Sequence, residues 1–91
     1  MPTLSIAELK KQANLIRQDI ILMLERAGSG HPSGALGMAD IFAVLYFQIL
    51  NHTPHKPNSP LRDRLILSCG HYCPVLYATL ARAGYFPLVE L

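Results

Sequence analysis

The sequence has no tryptophan, only two cysteines and few charges, since Asp, Glu, Lys and Arg together make up 15% of its 91 residues. Each shortage excludes something. A cysteine pair four positions apart (Cys69 and Cys73) cannot form the multi-bridge framework of a small secreted domain, so free thiols and a reducing cytoplasm are expected. The scattered basic residues and a net charge of +2 offer no nucleic-acid stripe and no polybasic membrane patch. The N-terminal stretch MPTLSIAELKKQ lacks the basic-then-apolar order of a signal peptide. The longest apolar run, Ile41–Leu50, is interrupted by Gln48 and is too short to span a bilayer.

Apolar residues, by contrast, make up 51% of the chain. That is a large share for a length near the lower limit of independent folding. The chain can hold one domain at most, and its apolar content exceeds what so small an interior hides.

Ser5-Ile6-Ala7-Glu8 has the capping-box pattern, with Leu4 and Leu9 placed for the hydrophobic staple. Leu9, Ala13, Ile16, Ile20, Met23, Leu24 and Ala27 then recur at spacings of three and four. The spacing predicts a helix over Ile6–Ala27, stopped by Gly28. A second helix is expected over Met38–Leu50, apolar nearly all round and therefore buried on most sides. Pro54, Pro57 and Pro60 make Asn51–Leu61 a surface crossover, in which His52 and His55 are expected to be exposed. Arg64–Ser68 reads as a short buried parallel strand, and Tyr72 onward as a further helix closed by Gly84. The predicted order is helix-loop-helix-strand-helix, an α/β arrangement. A lone buried strand and an all-apolar helix lack partners here, so residues 1–91 read as the incomplete N-terminal part of a larger domain.

Two stretches carry candidate chemistry. Ala27–Met38 holds four of the six glycines around His31, between two helices, and reads as a loop. Ser68-Cys69-Gly70-His71 joins the predicted strand to the next helix. Ligands in open α/β sheets bind beyond the carboxyl ends of strands, and free amides at a helix start suit phosphate. Gly70 would let the backbone approach, and His71 could donate to a phosphate oxygen. His31, held extended by Pro32, presents an imidazole able to donate or shuttle protons. A backbone-bound structural histidine is the alternative there, and a surface residue is the alternative for His71. Cys69, His71 and Cys73 are zinc-type ligands, but their spacing matches no common zinc module.

At these residues the chain resembles the N-terminal section of transketolase. The matching stretches are Ile16–Ile20, Ala27–Pro32, Gly37–Ile41, Arg62–Arg64, Leu67–His71, Leu76–Ala78 and Gly84–Phe86. The resemblance runs from about Leu9 to Leu91. It implies a thiamine diphosphate-binding domain of a pentose phosphate pathway enzyme that moves a two-carbon ketol unit between sugar phosphates. His31 would contact the sugar, and His71 with Gly70 would contact the cofactor's diphosphate. The resemblance assigns no catalytic residue and no metal ligand to this chain. The family's magnesium or calcium is held through a Gly-Asp-Gly stretch that these 91 residues do not contain. Tyr72 and Cys73 are bulkier than the family's usual small residues and would crowd the phosphate end. The implied partners are the rest of the N-terminal domain, a C-terminal section or subunit, and a homodimer or heterotetramer. The 91 residues alone are expected neither to bind the cofactor tightly nor to catalyse transfer. A non-catalytic remnant with a helical interaction surface is the competing expectation.

Overall fold

The computed structural model describes residues 4–28, 32–68 and 70–91, with the backbone alone at 32, 33 and 71. Helix α1 spans Ile6–Ala27, α2 Pro32–Gly37, α3 Ala39–Val44 and α4 Cys73–Ala83. A π-helical turn, Leu45–Ile49, extends α3, and 3₁₀ turns cover Gly70–Tyr72 and Leu88–Glu90.

Both ends of α1 form as the sequence predicts. The Glu8 amide donates to Ser5 Oγ (3.2 Å), and the Ser5 amide donates to Glu8 Oε1 (3.0 Å). That second bond holds the Glu8 carboxyl below its ordinary pKa. At the other end Gly28 takes the left-handed conformation, φ 72°, and returns its amide to Leu24 and Glu25.

One face of α1 carries the centre of the core, where Ile16 and Ile20 pack among Phe42, Ala43, Val75 and Ala78. Asp19 falls on the same buried face. Arg82 of α4 grips it with two bonds, Nε to Oδ2 at 2.6 Å and Nη2 to Oδ1 at 2.8 Å. A forked guanidinium–carboxylate pair fixes both side chains in one plane, so it sets how α1 lies on α4. On the other side of α1, Arg17 bonds Asp40 at the start of α3.

Three expectations are corrected. Pro32–Gly37 is a short helix rather than a loop, because proline suits a first helical position whose amide needs no partner. The helix after it is not buried on most sides: Ile41 and Ile49 are exposed and, with Val44 and Leu45, line an apolar hollow of about 320 Å³. No strand forms among the described residues. Arg64–Ser68 makes no backbone hydrogen bond among them, since no second strand is there to pair with. Burial alternates along this run instead of being continuous. Leu65 and Leu67 pack against the core, while Arg64, Ile66 and Ser68 are exposed. Among the described residues no helix is long and apolar enough to cross a membrane.

Asp19→Ala leaves the Arg82 guanidinium without its partner in a largely dry seam. The expected cost is about 3 kcal/mol, read as a lower urea midpoint with an unchanged slope. At Glu8 the folded-state pKa lies below the unfolded one, so its stabilisation is present above the unfolded value and lost as pH falls through the folded value. The protection factor of the Ser5 amide, corrected for the intrinsic pH dependence of exchange, should therefore fall on acidification. Glu8→Gln keeps the acceptor without the titration and should flatten that dependence.

Candidate functional site at the paired glycine turns

The two glycine-histidine stretches lie 40 positions apart in the chain, since His31 and His71 carry those numbers. Helix α2 begins directly after the first, and the 3₁₀ turn Gly70–Tyr72 contains the second. These two elements touch. The contact is tight because Gly34 has no side chain. A Cβ built on Gly34 would lie 2.0 Å from Tyr72 Cε1 and 2.6 Å from Cδ1. The Tyr72 ring therefore lies directly on the α2 backbone. Tyr72, expected to crowd the phosphate end, is the side chain that brings the turn at Gly70 against α2.

His31 falls outside the described residues, as do Cys69, Ser29 and Gly30. His71 is placed by its backbone alone, inside the 3₁₀ turn. Gly70 is exposed, and the space where a Cβ would stand is empty to 4 Å. No side chain caps α4, whose N-cap position is Tyr72 and whose first turn carries Pro74. Pro74 has no amide hydrogen, so the backbone donors for an anionic group at this open glycine are chiefly those of the 3₁₀ turn itself. Among the described residues no three metal-binding side chains come together, and Cys73 is a half-buried free thiol.

The glycines divide by cause. Gly28 is a helix stop with positive φ, Gly34 is a packing requirement, and Gly37 faces open space. Of the described glycines, Gly34 and Gly70 bear on the candidate site.

His52 is where the sequence reading fails. It is buried, not exposed. Its Nε2 lies 2.5 Å from the Tyr46 carbonyl oxygen and its Nδ1 2.5 Å from the Tyr85 hydroxyl. A carbonyl only accepts, so Nε2 carries the proton, and in the neutral ring Nδ1 accepts from Tyr85. The π turn explains the need. Leu50 N bonds Leu45 O at 2.7 Å, and Asn51 N is taken by Asp63 Oδ2 at 2.7 Å. The Tyr46 carbonyl thus loses its helical partner, and His52 replaces it. Burial raises the Tyr46 and Tyr85 phenols above the ordinary tyrosine range, opposed at Tyr85 by the nearby Arg62 charge. These groups line a hollow of about 360 Å³ together with Arg64, Leu65 and Ile66. That hollow stands apart from the Gly70 turn.

With this geometry in place, similarity to known proteins is informative. Residues 8–90 match the family described as transketolase, thiamine diphosphate binding domain. The chain is 46% identical over 81 residues to the 6-deoxy-6-sulfo-D-fructose transketolase subunit SqwG of Clostridium sp. (strain MSTE9), covering 89% of this chain and 30% of that protein. It is 42% identical over 83 residues to human transketolase, and 47% identical over 83 to the transketolase of Buchnera aphidicola. Those matches cover 91% and 90% of this chain but 13% and 12% of the relatives. The chain thus spans less than a third of the length of these relatives.

Gly34→Ala forces a methyl group into the Tyr72 ring and should cost about 1–3 kcal/mol of stability. In the Gly34→Ala/Tyr72→Ala double variant the loss should be smaller than the sum of the single losses. The difference, measured in a urea double-mutant cycle, reports the contact itself.

Proposed function

Since this chain belongs to the transketolase thiamine diphosphate-binding domain family, we propose that it supplies the diphosphate-contacting edge of a ketol-transferring enzyme. Gly70 and His71, at the uncapped start of α4, would hold the diphosphate of thiamine diphosphate. His31, which precedes α2 in the chain, would contact the sugar phosphate. The carrying observation is the Tyr72–Gly34 contact, which sets the turn at Gly70 against the helix that follows His31.

The residues present fit the diphosphate end of the cofactor. The space before Gly70 is open, and the helix start behind it has no side-chain cap competing for its amides. When bound, thiamine diphosphate supplies the carbanion chemistry of two-carbon transfer. This chain's contribution is binding and orientation. Backbone amides and the His71 imidazole neutralise and place the diphosphate, while His31 offers a hydrogen bond to a sugar hydroxyl. The magnesium or calcium that accompanies the diphosphate takes its ligands from elsewhere in the assembly.

We further propose that Arg64–Ser68 becomes an inner strand of an α/β domain once the remaining sheet is supplied, by the same polypeptide or another. Its alternating burial and unpartnered backbone support that reading. The assembled enzyme would be a cytoplasmic homodimer or heterotetramer of the pentose phosphate pathway.

In the assembled, active enzyme containing this chain, His71→Ala should raise the KM for thiamine diphosphate tenfold or more, about 1.4 kcal/mol of lost binding. His31→Ala should lower kcat/KM for the sugar donor with little change in cofactor affinity. An unaltered cofactor KM in the His71 variant would sink the diphosphate assignment. Calorimetry on the 91-residue chain with thiamine diphosphate and magnesium should detect no micromolar binding. Such binding would show that the metal ligands lie within it.

A further inference from the structure

The proline crossover repeats with a period of three. It reads Thr53-Pro54-His55, Lys56-Pro57-Asn58, Ser59-Pro60-Leu61 and then Arg62. Each repeat closes on the next as a turn. The Lys56 amide donates to the Thr53 carbonyl (2.9 Å), Ser59 to Lys56 (3.1 Å) and Arg62 to Ser59 (3.2 Å). Proline suits the second position of such a turn, and bonds between residues three apart present every third side chain alike. Thr53, Lys56, Ser59 and Arg62 accordingly line one hollow of about 230 Å³, together with Asn51. The ends of the crossover are tied to each other. The Asp63 amide donates to the Asn51 carbonyl and the Asn51 amide to Asp63 Oδ2, each at 2.7 Å. The hollow is thus built and closed within residues 51–63.

Its polar side chains have protons to give. Those of Thr53 and Lys56 make no hydrogen bond among the described residues. Ser59 Oγ accepts the Leu61 amide at 3.3 Å, which leaves the hydroxyl proton to donate. Arg62 Nε donates to the Pro57 carbonyl at 2.7 Å, which fixes the guanidinium and leaves its two Nη groups. No carboxylate lines the hollow. The basic residues of the chain are scattered, but its net charge is not. Lys56, Arg62 and Arg64 against Asp63 account for the whole of +2, because the remaining basic and acidic residues are equal in number.

We propose that this hollow binds a phosphate group, as inorganic phosphate or as a phosphomonoester. A dianion matches the two cations, and its tetrahedral oxygens can take an ammonium, a guanidinium and two hydroxyls at once. A carboxylate has a single charge and two oxygens in one plane, so it would leave one cation and part of the donor set unanswered. The site does not rest on the ketol-transfer reading, and neither Gly70 nor any residue of α4 lines it.

Lys56 is the reporter, since it is exposed, and the exposed Lys10 and Lys11 of α1 are internal controls. In the native protein carrying this chain, inorganic phosphate should slow acylation of Lys56 saturably and at least about threefold, read peptide by peptide by mass spectrometry. Lys10 and Lys11 should be unaffected, and chloride at equal ionic strength should not reproduce the effect. Thr53→Val and Ser59→Ala should each raise the half-protecting concentration about threefold to tenfold. Glycerol 3-phosphate is titrated beside inorganic phosphate. Tighter protection by the ester supports a phosphomonoester as the occupant, and tighter protection by the inorganic ion supports free phosphate. Equal slowing of all three lysines overturns the proposal, as does protection by chloride, indifference to both hydroxyl variants, or no protection by either phosphate. A Lys56 that is unreactive without phosphate also overturns it, because protein then fills the hollow.

Discussion

A tyrosine ring resting on a bare glycine backbone organises the end of this molecule that holds the Gly70 turn. Helix α2 and the turn before α4 come from opposite ends of the crossover, and no hydrogen bond between them is recorded among the described residues. Their approach is set by the Tyr72 ring at Gly34. Because close-packed surfaces transmit shape rather than average it, a methyl group at position 34 is felt at the turn holding Gly70 and His71. The candidate site is thus positioned by packing.

A second fixture sits at the far end of α3. The helix finishes in a π turn, which leaves the Tyr46 carbonyl without a helical partner, and His52 fills the gap while holding Tyr85. A buried histidine bonded through both nitrogens ties three separate segments together: the π turn, the proline crossover and the chain after α4. It also anchors one side of the crossover that leads to Arg64–Ser68, a run with which no strand pairs among the described residues.

Much of this was legible in the residues. Helix α1 was readable at both ends, because a capping box, a periodic apolar face and a left-handed glycine are local features. Helix α4 was readable from its apolar spacing and Gly84, whose φ is 101°. The contact between α2 and the Gly70–Tyr72 turn agrees with the family resemblance, which assigned ligand roles to both Gly-His stretches. Other features were not local. Nothing near Gly34 in sequence says that Tyr72 will lie on it. His52 looked solvent-exposed because prolines surround it, and its burial depends on an unpaired carbonyl six residues back. Arg64–Ser68 has the composition of a buried strand, but strand formation needs a neighbour, and the described residues provide none. Asp19 sat unremarked on an apolar helix face, where its Arg82 partner, 63 residues away, justifies the burial.

Helix α1 is held by two ion pairs of different character. The Asp19–Arg82 side chains are 9% and 23% exposed, whereas Asp40 and Arg17 are 66% and 35% exposed. Mobile ions screen charges in water far more than charges between packed helices. Rising ionic strength therefore acts on the two joints unequally. It relaxes the hold of α1 on the start of α3 while the seam with α4 stays gripped. The molecule has a salt-soft side and a salt-firm side, and the soft side carries the exposed Ile41 and the apolar hollow beside it.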